Sequence, residues 1–159
     1  MLINKSKRHS KYVGLFGETL VCNMLSRSGF EVMLVDHVGI DVVASRADIG
    51  PIGISVKSRM RQDKTNEISP VNLFSSQDSH LAKTCADFGL TPWIAVYVET
   101  KKGADLYLTS FENYKQKYAG NEGLTMLRWD MREKNRQSYN EDEAIMYLRI
   151  EFSQKNWFE

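Results

Sequence analysis

With 159 residues, 42% of them hydrophobic, the chain can bury one proper core, and its length gives no reason to expect two. No apolar run reaches the length of a membrane-crossing helix, and residues 1–10 are polar and basic where a secretory signal has an apolar centre, so a cytoplasmic protein is expected. The net charge of +1 excludes a uniformly basic chain but hides a gradient: residues 1–62 carry 9 Lys and Arg against 5 Asp and Glu, and the remainder 12 against 15.

Val13, Leu20, Val21, Met24 and Leu25 recur at helical spacing, and Ser28-Gly29 supplies a stop, which predicts a helix over residues 10–28. Cys22 in this pattern and Cys85 in a later one read as small core residues rather than a disulfide or a metal pair. Residues 30–36 and 40–45 read as strands joined at Gly39, and Gly50-Pro51 punctuates before a third strand over 52–59. Residues 60–70 are polar and without period, which predicts a surface loop. A second helix is expected over 75–88, with Leu81, Cys85 and Phe88 on one face, Ser75 or Ser76 as N-cap and Gly89 as stop. Residues 92–98 form a continuous apolar run, as in a strand buried on both faces, and 105–109 give another strand. Beyond Ser110, residues 111–118 look helical, 124–130 strand-like and 132–143 a charged, mobile loop. At the end Ile150 and Phe152 alternate with Arg149 and Glu151 as a strand would, although 141–150 serves almost as well as a helix.

Two of the early strands carry a charge that a buried β-branched run does not ordinarily tolerate: Asp41 in the second and Lys57 in the third. Glu18 lies three and seven positions before Val21 and Leu25, near the buried face of the first helix. An acid on one strand facing a lysine on the next, with a second acid reaching in from a helix, can hold a hard divalent cation beside a water molecule, as phosphodiester hydrolysis requires. By strand alternation Arg59 and Arg61 share the side of Lys57, and with Lys11, Lys5, Lys7 and Arg8 they are expected to contact phosphates. His9 and His37 have no companions at zinc-ligand spacing, and Trp93, Trp129 and Trp157 read as core or interface residues.

The order helix, three-strand meander, helix, buried strand resembles the nuclease core of the PD-(D/E)XK superfamily, in its Holliday junction resolvase-like and Mrr-like branches. The resemblance rests on Gly14-Leu15-Phe16-Gly17-Glu18, Gly39-Ile40-Asp41, Ser55-Val56-Lys57 and residues 77–89 leading into Pro92-Trp93-Ile94-Ala95-Val96, and it spans residues 14–98. It implies an α/β, restriction endonuclease-like fold, a mixed central sheet flanked by helices, in a single domain over 1–159. Residues 1–10 would be a basic arm, 11–110 the nuclease core and 111–159 a C-terminal extension. It also implies a metal-dependent DNA endonuclease of resolvase, restriction or homing type, working as a homodimer. Asp41 and the Val56 carbonyl would ligate Mg²⁺ or Mn²⁺, Glu18 would complete the shell, Lys57 would hold or help deprotonate the attacking water, and Gln77 would face DNA.

The departure is Ser55, which stands where the family usually places an acid. A hydroxyl is a neutral, weaker ligand, so either Glu18 takes over the missing role, or another acid such as Asp36 or Asp78 moves in, or the site does not cut. Asp41 and Lys57 favour residual catalysis, because neither has an evident structural reason to sit in its strand. The rival reading is an inactive nuclease-fold module for nucleic-acid binding or assembly, and a third is an RNA-processing or transposon-associated enzyme on the same scaffold.

Overall fold

The computed structural model describes residues 6–61, 68–75, 80–120 and 126–153. The elements run α1 (His9–Arg27), β1 (Glu31–His37), β2 (Ile40–Arg46), β3 (Gly50–Met60), β4 (Val71–Ser75), α2 (His80–Phe88), β5 (Thr91–Glu99), β6 (Gly103–Ser110), α3 (Phe111–Lys117), β7 (Met126–Trp129), α4 (Glu133–Glu141) and β8 (Ile145–Glu151). Six strands form one mixed sheet in the order β1-β2-β3-β5-β6-β8, antiparallel except where β3 runs parallel to β5, and β4 pairs with β7 in a separate ribbon. The β3–α2–β5 crossover explains the parallel pair, since parallel neighbours need a long connection, and short turns join the antiparallel pairs β1–β2, β2–β3 and β5–β6.

Strand alternation sends alternate side chains to two cores. On one face α1 lays Val13, Gly17, Val21 and Leu25, spaced four apart, over Val42, Ala44, Ile52, Ile54, Val56, Ala95 and Tyr97. On the other, α2, α3, α4 and the β4–β7 ribbon cover Ile94, Val96, Val98 and Tyr107 with Leu81, Cys85, Phe111, Tyr114, Trp129 and Tyr139. Both cysteines are free, Cys85 fully buried and Cys22 half-buried.

Three sequence expectations change. Residues 133–141 are a helix and not a loop, because two inward groups anchor it: Tyr139 is buried and stacks on Trp129 at 4.2 Å between ring centroids, and the half-buried Arg136 reaches Asp105, while Glu133, Lys134 and Glu141 are exposed. Ser75 ends a strand rather than opening a helix, and residues 71–75 pair with β7, a partner more than fifty residues away that no local pattern announces. At the end the strand prevails over the helix, since β8 completes the edge of the main sheet against β6.

Candidate functional site

The site begins with a mismatch of strand lengths. The partners of β2 and β3 run from Arg46↔Gly50 to Val42↔Ile54, whereas β3 continues to Met60 with only β5 beside it. One step beyond the last pair, the register sets Asp41 across from Ser55. There the Asp41 Oδ2 accepts the Val56 backbone N–H at 2.6 Å, doing for that donor what a further β2–β3 pair would have done. In an extended strand a residue's N–H and C=O point to the same edge, so the Val56 carbonyl also faces this edge, where no described strand pairs with it.

Two glycines set the approach of the other parts. Gly39, at φ +95°, makes the β1–β2 turn just before Asp41, and a Cβ there would lie 2.6 Å from the His80 carbonyl carbon. Gly17 lets α1 lie directly on β3 and β5: a Cβ at that position would collide with Ser58 Oγ and come within 3.2 Å of Tyr97 Cβ. Its neighbour Glu18 is thereby held against the strands, half-buried.

Asp41, Ser55 and Lys57 project from the face of the sheet opposite α1, since Val42, Ile54 and Val56 between them pack under that helix. Glu18 comes from the α1 side. The groups communicate across the edge that β2 leaves open: burial pushes the Glu18 carboxyl above its usual range, Asp41 and then Asp36 push it further, and Lys57 opposes them. Glu18 is therefore within electrostatic reach of Asp41, Asp36 and Lys57. Ser55 is only 3% exposed, so the place of the missing acid is a neutral, buried hydroxyl beside Asp41.

The expected phosphate contacts divide. Lys11 and Arg59 are exposed, and Arg59 Nη1 donates to the neighbouring Ser58 carbonyl at 2.7 Å. Arg61 is half-buried, and its Nη2 donates to the carbonyls of Ser69 and Pro70 at 3.2 and 3.0 Å, so it ties the segment after residue 67 to the end of β3. Burial, and then Arg59, lower its pKa. Gln77 and Asp78 lie outside the described residues. His9 sits 3.8 Å from Glu99 Oε1 and His37 Nδ1 2.9 Å from the Val38 carbonyl, neither in a metal-ligand set.

Among the described residues no group of three or more His, Cys, Asp and Glu side chains is placed to hold a metal ion. The donors at the open edge are instead two carboxylates and a carbonyl. That set fits Mg²⁺, which keeps several waters and needs only one or two protein carboxylates, better than ions that demand a full protein cage. The coupling of Glu18 to Asp41 is the structural sign of the fit, because acids crowded without a cation are a strain that a cation relieves. The buried Ser58 hydroxyl has no hydrogen-bond partner among the described residues.

No protein-family model matches the chain, and no curated protein matches it. Among solved structures it is similar to Hjc, a Holliday junction resolvase from the archaeal hyperthermophile Archaeoglobus fulgidus, with 18% identity and a TM-score of 0.51 over 74% of this chain and 88% of the resolvase. Among the described residues no helix is long and apolar enough to cross a membrane. The likeness to the resolvase is one of architecture, and on it the chain has a restriction endonuclease-like fold, with a mixed central sheet flanked by helices.

Proposed function

We propose that the protein is a divalent-metal-dependent DNA endonuclease that hydrolyses phosphodiester bonds, of the resolvase, restriction or homing type. The observation that carries this reading is the Asp41 carboxylate held on the Val56 N–H at the open edge of β3, with Glu18 near enough to feel both Asp41 and Lys57, on a fold shared with a Holliday junction resolvase. Asp41, fixed by the Val56 N–H through one oxygen, would offer the other to Mg²⁺ or Mn²⁺, the Val56 carbonyl would add a second ligand, and Glu18 would complete the set directly or through water. A bound divalent ion would polarise the phosphoryl oxygens and make water a better nucleophile. Lys57 positions that water by hydrogen bonding and offsets the charge that grows on the phosphate during attack. Cutting two strands takes two such sites, which a homodimer supplies by symmetry.

The test is incubation with linear, supercoiled and four-way-junction DNA, with Mg²⁺, Mn²⁺ or EDTA, beside Asp41→Asn and Lys57→Ala. Metal-dependent cleavage that falls by about a thousandfold in either variant supports the reading, the size expected when a group acting on the transition-state charge is removed. Cleavage equal in Asp41→Asn would point to a contaminating nuclease and reject it.

A second reading, a nuclease-fold module that binds nucleic acid without cutting it, is favoured by the buried Ser55. It predicts salt-sensitive DNA binding with no cleavage in any divalent ion. Comparing RNA with DNA substrates separates a third, RNA-directed activity.

A further inference from the structure

The two edges of the main sheet differ in how they meet solvent. On β8, Arg149 reaches the buried Asp105 and also holds Glu151, and the Tyr147 hydroxyl donates to the same aspartate; charges fixed in this way are one device that keeps a further strand from pairing with an edge. The other edge, β1, has no lysine and no proline, and its middle, Val32-Met33-Leu34-Val35, is wholly apolar. Among the described residues no strand pairs with its outer side, so alternate backbone N–H and C=O groups there lack a ladder partner.

Both faces of this edge carry exposed apolar groups. Val32 and Leu34 stand on the α1 side, across from Ala44 and Val42, and Met33 and Val35 on the other. There Met33 and Val35 line a groove of about 370 Å³ together with Phe88 and Leu90 from the end of α2 and the turn after it. Met33, Leu34, Val38 and Phe88 are 58, 49, 65 and 63% exposed. Four side chains open to that extent leave on the order of 400 Å² of apolar surface in water, the size of patch that marks an interaction site. That is about half of the roughly 800 Å² which each partner brings to a standard interface, and such interfaces are ordinarily a little over half apolar.

We propose that β1 is the surface on which a second copy of this chain docks, its own β1 adding antiparallel across a two-fold axis at Leu34 so that the two sheets become one. This register uses the whole strand. It sets Leu34 against Leu34 of the partner, Met33 against Val35, Asp36 against Val32 and Glu31 against His37, so that each acid meets an apolar group or an imidazole rather than its own copy. The slip in the β1–β2 register between Leu34 and His37 adds twist at the far end of the strand and leaves its apolar middle at the axis. The inference rests on the homodimer of the proposed function and adds which face forms it. Neighbouring strands lie about 4.8 Å apart, so the two β2 strands, each with its Asp41, stand about 14 Å apart across the joint.

The test measures mass and not cleavage: sedimentation equilibrium of the full chain in EDTA without DNA, for the unaltered protein, Met33→Lys, Leu34→Lys and Leu15→Lys, the last on an equally exposed apolar ridge of α1. Met33→Lys and Leu34→Lys are expected to weaken dimerisation about tenfold or more, because each places two unpaired lysines at the joint. Leu15→Lys should dimerise as the unaltered protein does. All three residues are about half exposed, so the variants should melt near the temperature of the unaltered protein, and this is measured beside the mass. In a Cys22→Ser background, Leu34→Cys should cross-link to its own copy under mild oxidation, since opposed strand residues lie within disulfide reach, and Val38→Cys should not. Dimers that survive both β1 variants, that are lost in Leu15→Lys instead, or that cross-link equally at positions 34 and 38 would overturn the joint while leaving a homodimer through another face. A chain that stays monomeric would overturn the joint and the homodimer together, giving the edge to a different partner, and would leave the reading of the metal site and its chemistry untouched.

Discussion

Two regions of this molecule handle carboxylates in opposite ways. In the C-terminal layer, Asp105 is 2% exposed and fully engaged: the Tyr147 hydroxyl donates to it at 2.7 Å, and Arg149 and Arg136 at 2.9 and 3.3 Å. Asp142, its side chain 7% exposed, accepts from Asn113, the Tyr118 hydroxyl, Lys117 and the Ala144 N–H. Burial alone would raise its pKa, but those donors prevail and hold the carboxyl well below the usual range. At the open edge of β3 the balance is reversed: Glu18 is pushed up by burial and by two other acids, with only Lys57 in opposition. The same carboxylate group therefore stabilises the fold in one region and is held ready for a ligand in the other. Charge satisfaction, more than charge itself, separates scaffold from site.

This contrast can be broken first where the scaffold is most heavily packed. Trp129 is fully buried among Tyr107, Tyr114, Tyr118 and Tyr139. Trp129→Ala should cost about 3–5 kcal/mol in denaturant unfolding, the range for an emptied aromatic site. Asp105→Ala comes next, at about 3 kcal/mol, because it leaves Arg136 and Arg149 facing a hole without their counter-ion. DNA affinity per folded molecule should be unchanged in both, and a loss would mean that the layer is not merely scaffold.

Acid titration of stability sharpens the same contrast through its sign. Asp142 has a folded pKa below its unfolded one, so its contribution is present above the unfolded value near 3.8 and is lost as pH falls; Asp142→Asn should flatten the acid limb of stability against pH. Glu18 has a folded pKa above its unfolded value near 4.5, so the native state binds the extra proton and stability falls as pH rises through that window. Glu18→Gln should remove this slope and raise the melting temperature slightly at neutral pH. Melting curves for both variants from pH 3 to 8 check the two opposite signs, and the Glu18 effect is the smallest predicted here.

Much of this was legible because some residues speak locally. Val13, Val21 and Leu25 fixed the first helix, the β-branched runs of β2, β3 and β5 fixed the central strands, and Asp41 and Lys57 stood out as charges where such strands have none. The turn at Gly39 and the stop at Ser28 followed from backbone chemistry. What stayed hidden depends on partners distant in sequence. Strand β4 exists because β7 pairs with it, and helix α4 because Tyr139 finds Trp129. Arg61 looked like a phosphate contact by alternation, yet its guanidinium is engaged by the carbonyls of Ser69 and Pro70, which no pattern in β3 encodes. The importance of Val56 as a backbone donor and acceptor arises from the β2–β3 pairing stopping at Val42↔Ile54, a feature of pairing extent rather than of residue type.

The central claim is that Glu18 and Asp41 form one cation site at the edge that β2 leaves open. Titration of the protein with Mn²⁺, read by the loss of the free-ion electron paramagnetic resonance signal, tests it without any assay of activity. The account predicts one site per chain in the unaltered protein, lost in Asp41→Asn and weakened about tenfold or more in Glu18→Gln. Equal Mn²⁺ binding by all three proteins would contradict it.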